Sequence, residues 1–401
     1  MKYARILRCL PAVIGFIAVD AVGTLAHADT SFKIYGFAEA DYIYDSQRVD
    51  PNWDDAFRPS KIATPEGEFG SPGQSSLSVK QSRFGVSGSH PTDTDWGPVT
   101  FKFEFDLFGV GADEGQTTFR LRHVYGEWGP ILAGQTNSLF MDGDVFPNVI
   151  DYWGPSGMVF LRTPQIRFTP YRTEYSHFAF AFEKPGNDID PGTIRELDPD
   201  LGNNIENDEK YPDFTMHYYT SDTWGHAQLA GILRRVGFDT LGTVDNRPKG
   251  AELGWGVNFG ATVNVFDKDK LIGQVVHGNG IASYMNDGGV DLSAKGAPGS
   301  IQSEAVPLTG VVAYYDRTWS DQFTSSFGYS FTQVDNTNLQ EPSAFHKGQY
   351  ASVNFLWTPT KTILIGGELL WGKRTDFDGV TGDDIRFQFS VKYSWDKGFD
   401  I

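Results

Sequence analysis

Residues 385–395 read IRFQFSVKYSW, an unbroken alternation of apolar and polar side chains. Side chains on a β-strand point to opposite faces in turn, so one face of this segment is bulky and apolar while the other is charged or hydroxylated. One such strand would also suit a soluble sandwich, but the pattern recurs in residues 99–107, 255–265 and 323–332. Long strands with one apolar face and one polar, glycine-rich face are typical of a barrel with lipid outside and water inside.

The amino-terminal segment has the composition of a secretory signal peptide. Three basic residues precede an apolar run over residues 10–25, and residues 26–28 (AHA) match a small-residue cleavage site. The run is shorter than the ~20 apolar residues that a helical membrane span needs, and no later stretch approaches that length. We therefore predict that residues 1–28 are removed and that residues 29–401 form one barrel domain in the outer membrane of a Gram-negative cell.

Charge and cysteine content narrow the class of protein further. Without the predicted signal peptide, the 33 basic and 51 acidic residues fall to 30 and 50, a formal charge of -20. Such acidity argues against nucleic acid as a partner, because phosphates attract basic surfaces. The only cysteine, Cys9, lies in the signal segment, so the mature chain has neither a disulfide framework nor thiolate chemistry.

Turn and loop signals alternate short and long along the mature chain. Segments 129–130, 221–224 and 359–360 are tight turns, whereas 45–76 and 184–209 are long and polar. Bacterial outer-membrane barrels show this alternation, with the short turns on the periplasmic side. The pattern predicts an all-β fold, a transmembrane antiparallel β-barrel of about 16 strands. A soluble β-sandwich is the alternative, but it would have to hide roughly a dozen apolar strand faces between two sheets.

One insertion, residues 137–163, is too apolar for a freely solvated loop. A barrel of this strand number encloses an aqueous channel unless something narrows it. Folding back into the lumen would bury the apolar side chains of the insertion against the wall, so we predict an inward-folded constriction loop. An extracellular lid and a contact within a trimer are the alternatives. The polar and aromatic residues assigned to the constriction loop are Asp142, Asp144, Asp151, Tyr152 and Trp153.

Several segments resemble known porins. Residues 34–41 (IYGFAEAD) resemble the first strand of Gram-negative porins, and residues 119–127 (FRLRHVYGE) with 132–136 (LAGQT) resemble the strands that lead into a constriction loop. The following run, residues 139–167, resembles the DcaP-like porins. This resemblance implies a trimeric sixteen-stranded barrel associated with uptake of dicarboxylates and other small anions. The carboxyl terminus departs from the porin pattern, because residues 396–401 trail beyond an aromatic position.

If the bulky strand residues face lipid, basic side chains enter the channel, and lumen charge then selects the solute. Arg120 and Arg122 share one strand face about 6.6–6.8 Å apart, a spacing at which each guanidinium could bind one carboxylate of a short diacid. The alternative is neutralisation by carboxylates that face the same lumen, such as Glu104 and Asp106. The residues predicted to line the pore or bind solute are Arg83, Lys102, Arg120, Arg122, Arg162, Arg167, Arg386 and Lys392.

The sequence therefore predicts a passive porin that prefers small anionic solutes such as dicarboxylates and forms a homotrimer. A general or sugar-preferring porin with paired pore charges is the second hypothesis. An outer-membrane hydrolase is the third, but the histidines are scattered, without a nucleophile elbow or a metal-spaced pair, so we expect no enzyme, cofactor or metal. Residues 184–209 are acidic, which suits solvation or divalent-ion bridging to lipopolysaccharide.

Overall fold

The computed structural model describes residues 29–109, 118–297 and 300–400; the predicted signal peptide lies outside them. Within these residues sixteen long strands form a closed antiparallel barrel, as the sequence predicts. Each strand pairs with the next, and the last pairs with the first to close the ring. The barrel strands are β1 (Ser31–Asp45), β2 (Arg83–His90), β3 (Val99–Asp106), β4 (Arg120–Trp128), β5 (Ile131–Asn137), β6 (Arg162–Arg172), β7 (Ser176–Glu183), β8 (Asp213–Asp222), β9 (Gly225–Thr240), β10 (Gly250–Val265), β11 (Asp269–Asn279), β12 (Pro307–Thr318), β13 (Phe323–Val334), β14 (Phe345–Thr360), β15 (Ile363–Asp376) and β16 (Thr381–Asp400).

The other described elements are short and lie in the connections between barrel strands. The helices are α1 (Ile194–Leu197) and α2 (Pro199–Gly202). The 3₁₀ turns are Pro59–Lys61, Gly143–Val145, Val244–Asn246 and Ala282–Tyr284. The short strands are Gln74–Ser78, Ile189–Asp190, Ile205–Asn207, Leu292–Lys295 and Gln302–Ala305. Among the described residues, no helix is long and apolar enough to cross a membrane.

β16 confirms the predicted orientation of the side chains. Phe387 and Phe389 are 43% and 40% exposed on the outer surface of the barrel, whereas the intervening Gln388 is fully buried. β10 repeats the arrangement, with Phe259 exposed and Asn258 buried. Because the exposed aromatic and aliphatic residues lie on the outside of a closed ring, the outer surface suits lipid and the inner surface suits polar groups.

The carboxyl terminus remains part of the barrel beyond its aromatic position. Residues 396–400 continue β16 and pair with the beginning of β1, with Asp400 opposite Ser31. Backbone N–H and C=O groups at a barrel seam need partners, because lipid offers none. The start of β1 pairs with β2 on its other edge, so the last residues of β16 complete the hydrogen bonding of this segment.

The constriction loop, residues 138–161 between β5 and β6, folds into the barrel as predicted. Its apolar side chains enter two buried clusters with the inner wall. The first cluster joins Phe140, Met141 and Val159 of the loop to wall residues that include Ile232, Val276 and Leu308. The second joins Val145 and Met158 of the loop to wall residues that include Ile272, Val312, Tyr350 and Leu370. The loop is therefore held by burial of apolar surface on β9, β11, β12, β14 and β15.

Side-chain amides around the loop bind its backbone carbonyls at 2.8–3.3 Å. An irregular segment inside a barrel has no strand partner, so its backbone groups need side-chain partners. The Glu368 carboxylate satisfies backbone donors of the loop. It accepts hydrogen bonds from the N–H groups of Ile150 at 2.6 Å and Asp151 at 3.2 Å. The amide donors are Gln81, Gln228, Asn258, Gln274, Asn354 and Gln388.

Gly157 lies where the loop packs directly against the backbone of the wall. A Cβ at this position would lie 2.1 Å from the carbonyl oxygen of Phe331 and 2.6 Å from that of Val311, and both are backbone atoms that cannot rotate away. Gly157→Ala should therefore push the loop away from the wall. The overpacking should lower the free energy of unfolding by roughly 1–3 kcal/mol. We expect a changed single-channel conductance with more current noise in planar bilayers.

Gly143→Ala is the matched control, because it adds the same methyl group to the same loop. The nearest atoms to a Cβ at Gly143 are 3.6 and 3.8 Å away, which is ordinary contact. Its conductance should equal that of the wild type. Equal conductance for Gly157→Ala and Gly143→Ala would show that the loop and the wall around residue 157 adjust to the added methyl group.

Candidate functional site

Basic side chains gather on the part of the inner wall formed by β2, β3, β4 and β6. We call them the cationic cluster. A register shift between β3 and β4, at Glu104 and Phe105, brings both Arg122 and His123 to the buried inner side. The alternation of strand residues predicts Arg122 there but not its neighbour. The members of the cationic cluster are Arg83, Lys102, Arg120, Arg122 and Arg162.

Asp106, at the end of β3, is the centre of the hydrogen bonds in this region. Its fully buried carboxylate accepts from Arg120 Nε at 3.1 Å and Nη2 at 2.8 Å, and from Arg122 Nη1 at 2.9 Å. The hydroxyl of Tyr152, from the constriction loop, donates to the same carboxylate at 2.7 Å. Asp106 therefore links two strands of the wall to the loop.

Glu104 is the second carboxylate that pairs with the cationic cluster. Its carboxylate lies 2.8 Å from Arg122 Nε, 3.2 Å from Lys102 Nζ and 3.5 Å from Arg83 Nη1. Arg120 and Arg122 are thus bound to carboxylates of their own chain, and the structure favours the neutralisation alternative for this pair. For Arg122 the reason is burial, because it is only 7% exposed and an unpaired buried charge is costly.

Arg162, the first residue of β6, differs from the other cations. It makes no ion pair with any residue that the structure describes, and its guanidinium carbon lies 4.9 Å from the ring centre of Phe160. Across the described residues, four of the five cations pair with two carboxylates, Glu104 and Asp106, and Arg162 pairs with none. This leaves three formal positive charges in excess on one side of the channel.

A cavity of about 320 Å³ opens between the cationic cluster and the loops. Arg120 and Arg162 border it on one side, Arg58 of the first loop borders it too, and Tyr152 and Trp153 of the constriction loop line it. Arg58 is paired with an aspartate, its Nε 2.9 Å from Asp287 Oδ1, and its guanidinium lies 4.6 Å from the ring centre of Trp153. Sequence reasoning missed Arg58, because it lies in a loop where no alternation assigns a direction.

Arg386 was predicted to line the pore, and the structure corrects this. Its side chain is fully buried, binds Asp45 with Nε at 2.6 Å and Nη2 at 2.9 Å, and donates to the carbonyl of Asp54 at 2.8 Å. The first loop covers it, so a solute in the channel cannot reach the guanidinium group. Alternation placed Arg386 correctly on the inner face but could not show that a loop covers that face.

The remaining residues predicted at the site occupy different surroundings. Lys392 lies 3.2 Å from Glu39, and Arg167 donates to the carbonyl of Asn137 at 2.7 Å. Asp151 is buried inside the loop, where burial raises its pKa to about 6, and it accepts from the backbone N–H of Phe57 at 3.0 Å. Asp142 is also buried, whereas Asp144 is exposed.

The closed barrel, its outward apolar surface and its inward loop define an outer-membrane channel of the porin type. The chain belongs to the DcaP outer membrane protein family, which matches residues 22–395. A comparison with curated proteins finds no match.

Solved structures agree on the fold. The outer membrane channel DcaP of Acinetobacter baumannii has 23% sequence identity and a TM-score of 0.77, with 91% of this chain and 97% of that chain covered. The anion-selective porin from Comamonas acidovorans has 11% identity and a TM-score of 0.56, with 91% and 100% covered. OmpT, an outer membrane protein of Vibrio cholerae, has 11% identity and a TM-score of 0.54, with 93% and 100% covered. At these identities the similarity establishes the fold alone.

Proposed function

We propose that this outer-membrane channel passes small anions by passive diffusion, with a preference for dicarboxylates. The observation that carries the proposal is the imbalance of the cationic cluster, whose five basic side chains have two carboxylate partners, Glu104 and Asp106, among the residues that the structure describes. Fixed charge in a narrow aqueous passage raises the local concentration of the opposite ion and lowers that of the like ion. An excess of positive charge therefore favours anions, although the whole chain is acidic.

The preference for two carboxylates rests on the arrangement of the cavity. Arg58 comes from the first loop and Arg162 from β6, so the cavity is bordered by guanidinium groups from separate parts of the chain. Arginine binds carboxylates through paired N–H groups, which a flexible lysine cannot match in geometry. A short diacid could bind a different arginine at each end. Its carbon chain would lie against the rings of Tyr152 and Trp153.

We also propose the homotrimer that the resemblance implies as the assembled form, with lipid and lipopolysaccharide around it. The apolar outer surface suits contact with lipid and with a second protomer. A general or sugar-preferring porin stays the second candidate, supported by the ion pairs that Arg120 and Arg122 already make.

Reversal potential in a KCl gradient tests the anion preference. Planar bilayers that contain the purified channel should give the potential of an anion-selective pore. Liposome swelling with a succinate-like diacid should be faster than with an uncharged sugar of equal size. A cation-selective potential would refute the proposal, and equal swelling rates for diacid and sugar would favour the general porin.

A further inference from the structure

A second group of chemically active side chains lies at the start of the constriction loop, among residues outside the cationic cluster. Asp142 and Asp144 of the loop approach His226 at the beginning of β9, and one ligand atom from each lies within 4.8 Å of the others. His226 follows Asp142 by 84 residues, so no sequence spacing reveals the group. Two carboxylates and one imidazole are a donor set that divalent transition ions bind.

The geometry of the group is already close to that of a metal site. His226 Nε2 lies 3.0 Å from Asp142 Oδ2, and ligands about 2.0–2.2 Å from a shared ion are separated by roughly this distance. The ring of Tyr219 stacks on His226 with centres 5.4 Å apart, and its hydroxyl donates to Asp144 Oδ2 at 3.0 Å. These contacts fix the direction of the imidazole and hold the second carboxylate beside it, as supporting residues do in metal sites.

The surroundings of the group place one ligand against the wall and leave another accessible. A Cβ at Gly260 would lie 2.3 Å from Asp142 Oδ2, so the wall at this point has room for the carboxylate only because residue 260 is glycine. Asp142 and His226 are buried, whereas Asp144 is exposed to the lumen. An ion that enters from the channel can therefore meet Asp144 first, and the ligand atoms of Asp142 and His226 lie within 4.8 Å of the carboxylate of Asp144.

We propose that Asp142, Asp144 and His226 bind a divalent transition ion of the zinc type, with water in the remaining positions. The ion would tie the first turn of the constriction loop to β9, in place of the hydrogen bond between Asp142 and His226. An imidazole ligand favours zinc over calcium and magnesium, which prefer oxygen donors. The proposal does not depend on the solute that the channel passes.

Zinc binding to the purified barrel in detergent tests the proposal. Competition of ZnCl₂ against a chromogenic chelator should show one saturable site per chain, with CaCl₂ unable to displace the zinc. Asp144→Asn and His226→Gln should each weaken zinc binding by about tenfold or more. Asp144 is exposed, so its variant should fold even if the His226 variant does not.

His346→Gln is the matched control. His346 bonds Asn336 through Nδ1 at 2.8 Å and takes no part in the group, so zinc affinity should stay at the wild-type value. Zinc that binds no more tightly than calcium would overturn the proposal. Wild-type zinc affinity in both Asp144→Asn and His226→Gln would overturn it as well.

Discussion

Replacing Arg120 and Arg162 together with glutamine should reduce the anion preference of the channel about tenfold. Both side chains border the same cavity, and their loss lowers the excess charge of the cationic cluster from three to one. With the screening of bulk water, a unit charge at ~6 Å acts on a passing carboxylate with about 0.7 kcal/mol, so two charges contribute about 1.4 kcal/mol. The reversal potential in a KCl gradient measures the change.

Arg195→Gln with Arg247→Gln is the matched control for this double variant. Arg195 lies in the long connection between β7 and β8, bound to Asp190, and Arg247 is exposed in the connection between β9 and β10. The control removes the same formal charge from the rim, where solvent and salt screen it, so the reversal potential should stay near the wild-type value. A wild-type potential in Arg120→Gln/Arg162→Gln would show that the cluster does not select the solute.

Asp106→Asn should have the largest effect on stability, about 3 kcal/mol in the free energy of unfolding. Asp106 is fully buried and accepts hydrogen bonds from Arg120, Arg122 and Tyr152. A neutral amide cannot balance the two guanidinium groups, so Arg120 loses its carboxylate partner and Arg122 keeps only Glu104 of its two. The same change raises the excess charge of the cluster from three to four. Denaturant unfolding of the detergent-solubilised barrel measures the first effect, and the reversal potential measures the second.

Asp93→Asn serves as the control, because Asp93 is exposed in the short connection between β2 and β3. It removes the same negative charge without touching the hydrogen bonds of Asp106, so stability and selectivity should both match the wild type. In Asp106→Asn the lower stability and the stronger anion preference should occur together, because both follow from the loss of one carboxylate. Unchanged stability would mean that water in the lumen replaces the lost carboxylate at little cost.

The sequence by itself determined the barrel, the strand number and the face of most strand residues. Lipid on one side and a polar interior on the other impose a period of two on every strand, and this period is visible without any structure. The same reasoning placed Arg83, Lys102 and Arg120 inside, and the apolar content of residues 137–163 predicted that this segment folds inward. It could not reveal the register shift at Glu104, because a bulge is a property of two paired strands.

Only the tertiary structure decided which inner-face residues line the open channel and which are covered by loops. The sequence pattern of an inner-face glutamine or arginine is the same whether water or another chain segment covers the side chain. Either partner can satisfy its polar atoms. Arg386 and Gln388 lie under loops, whereas Arg120 and Arg162 border the cavity together with Arg58. The contacts that cover or expose these residues join distant parts of the chain. Arg386 and Asp45, for example, are 341 positions apart, so the local sequence pattern cannot predict their contact.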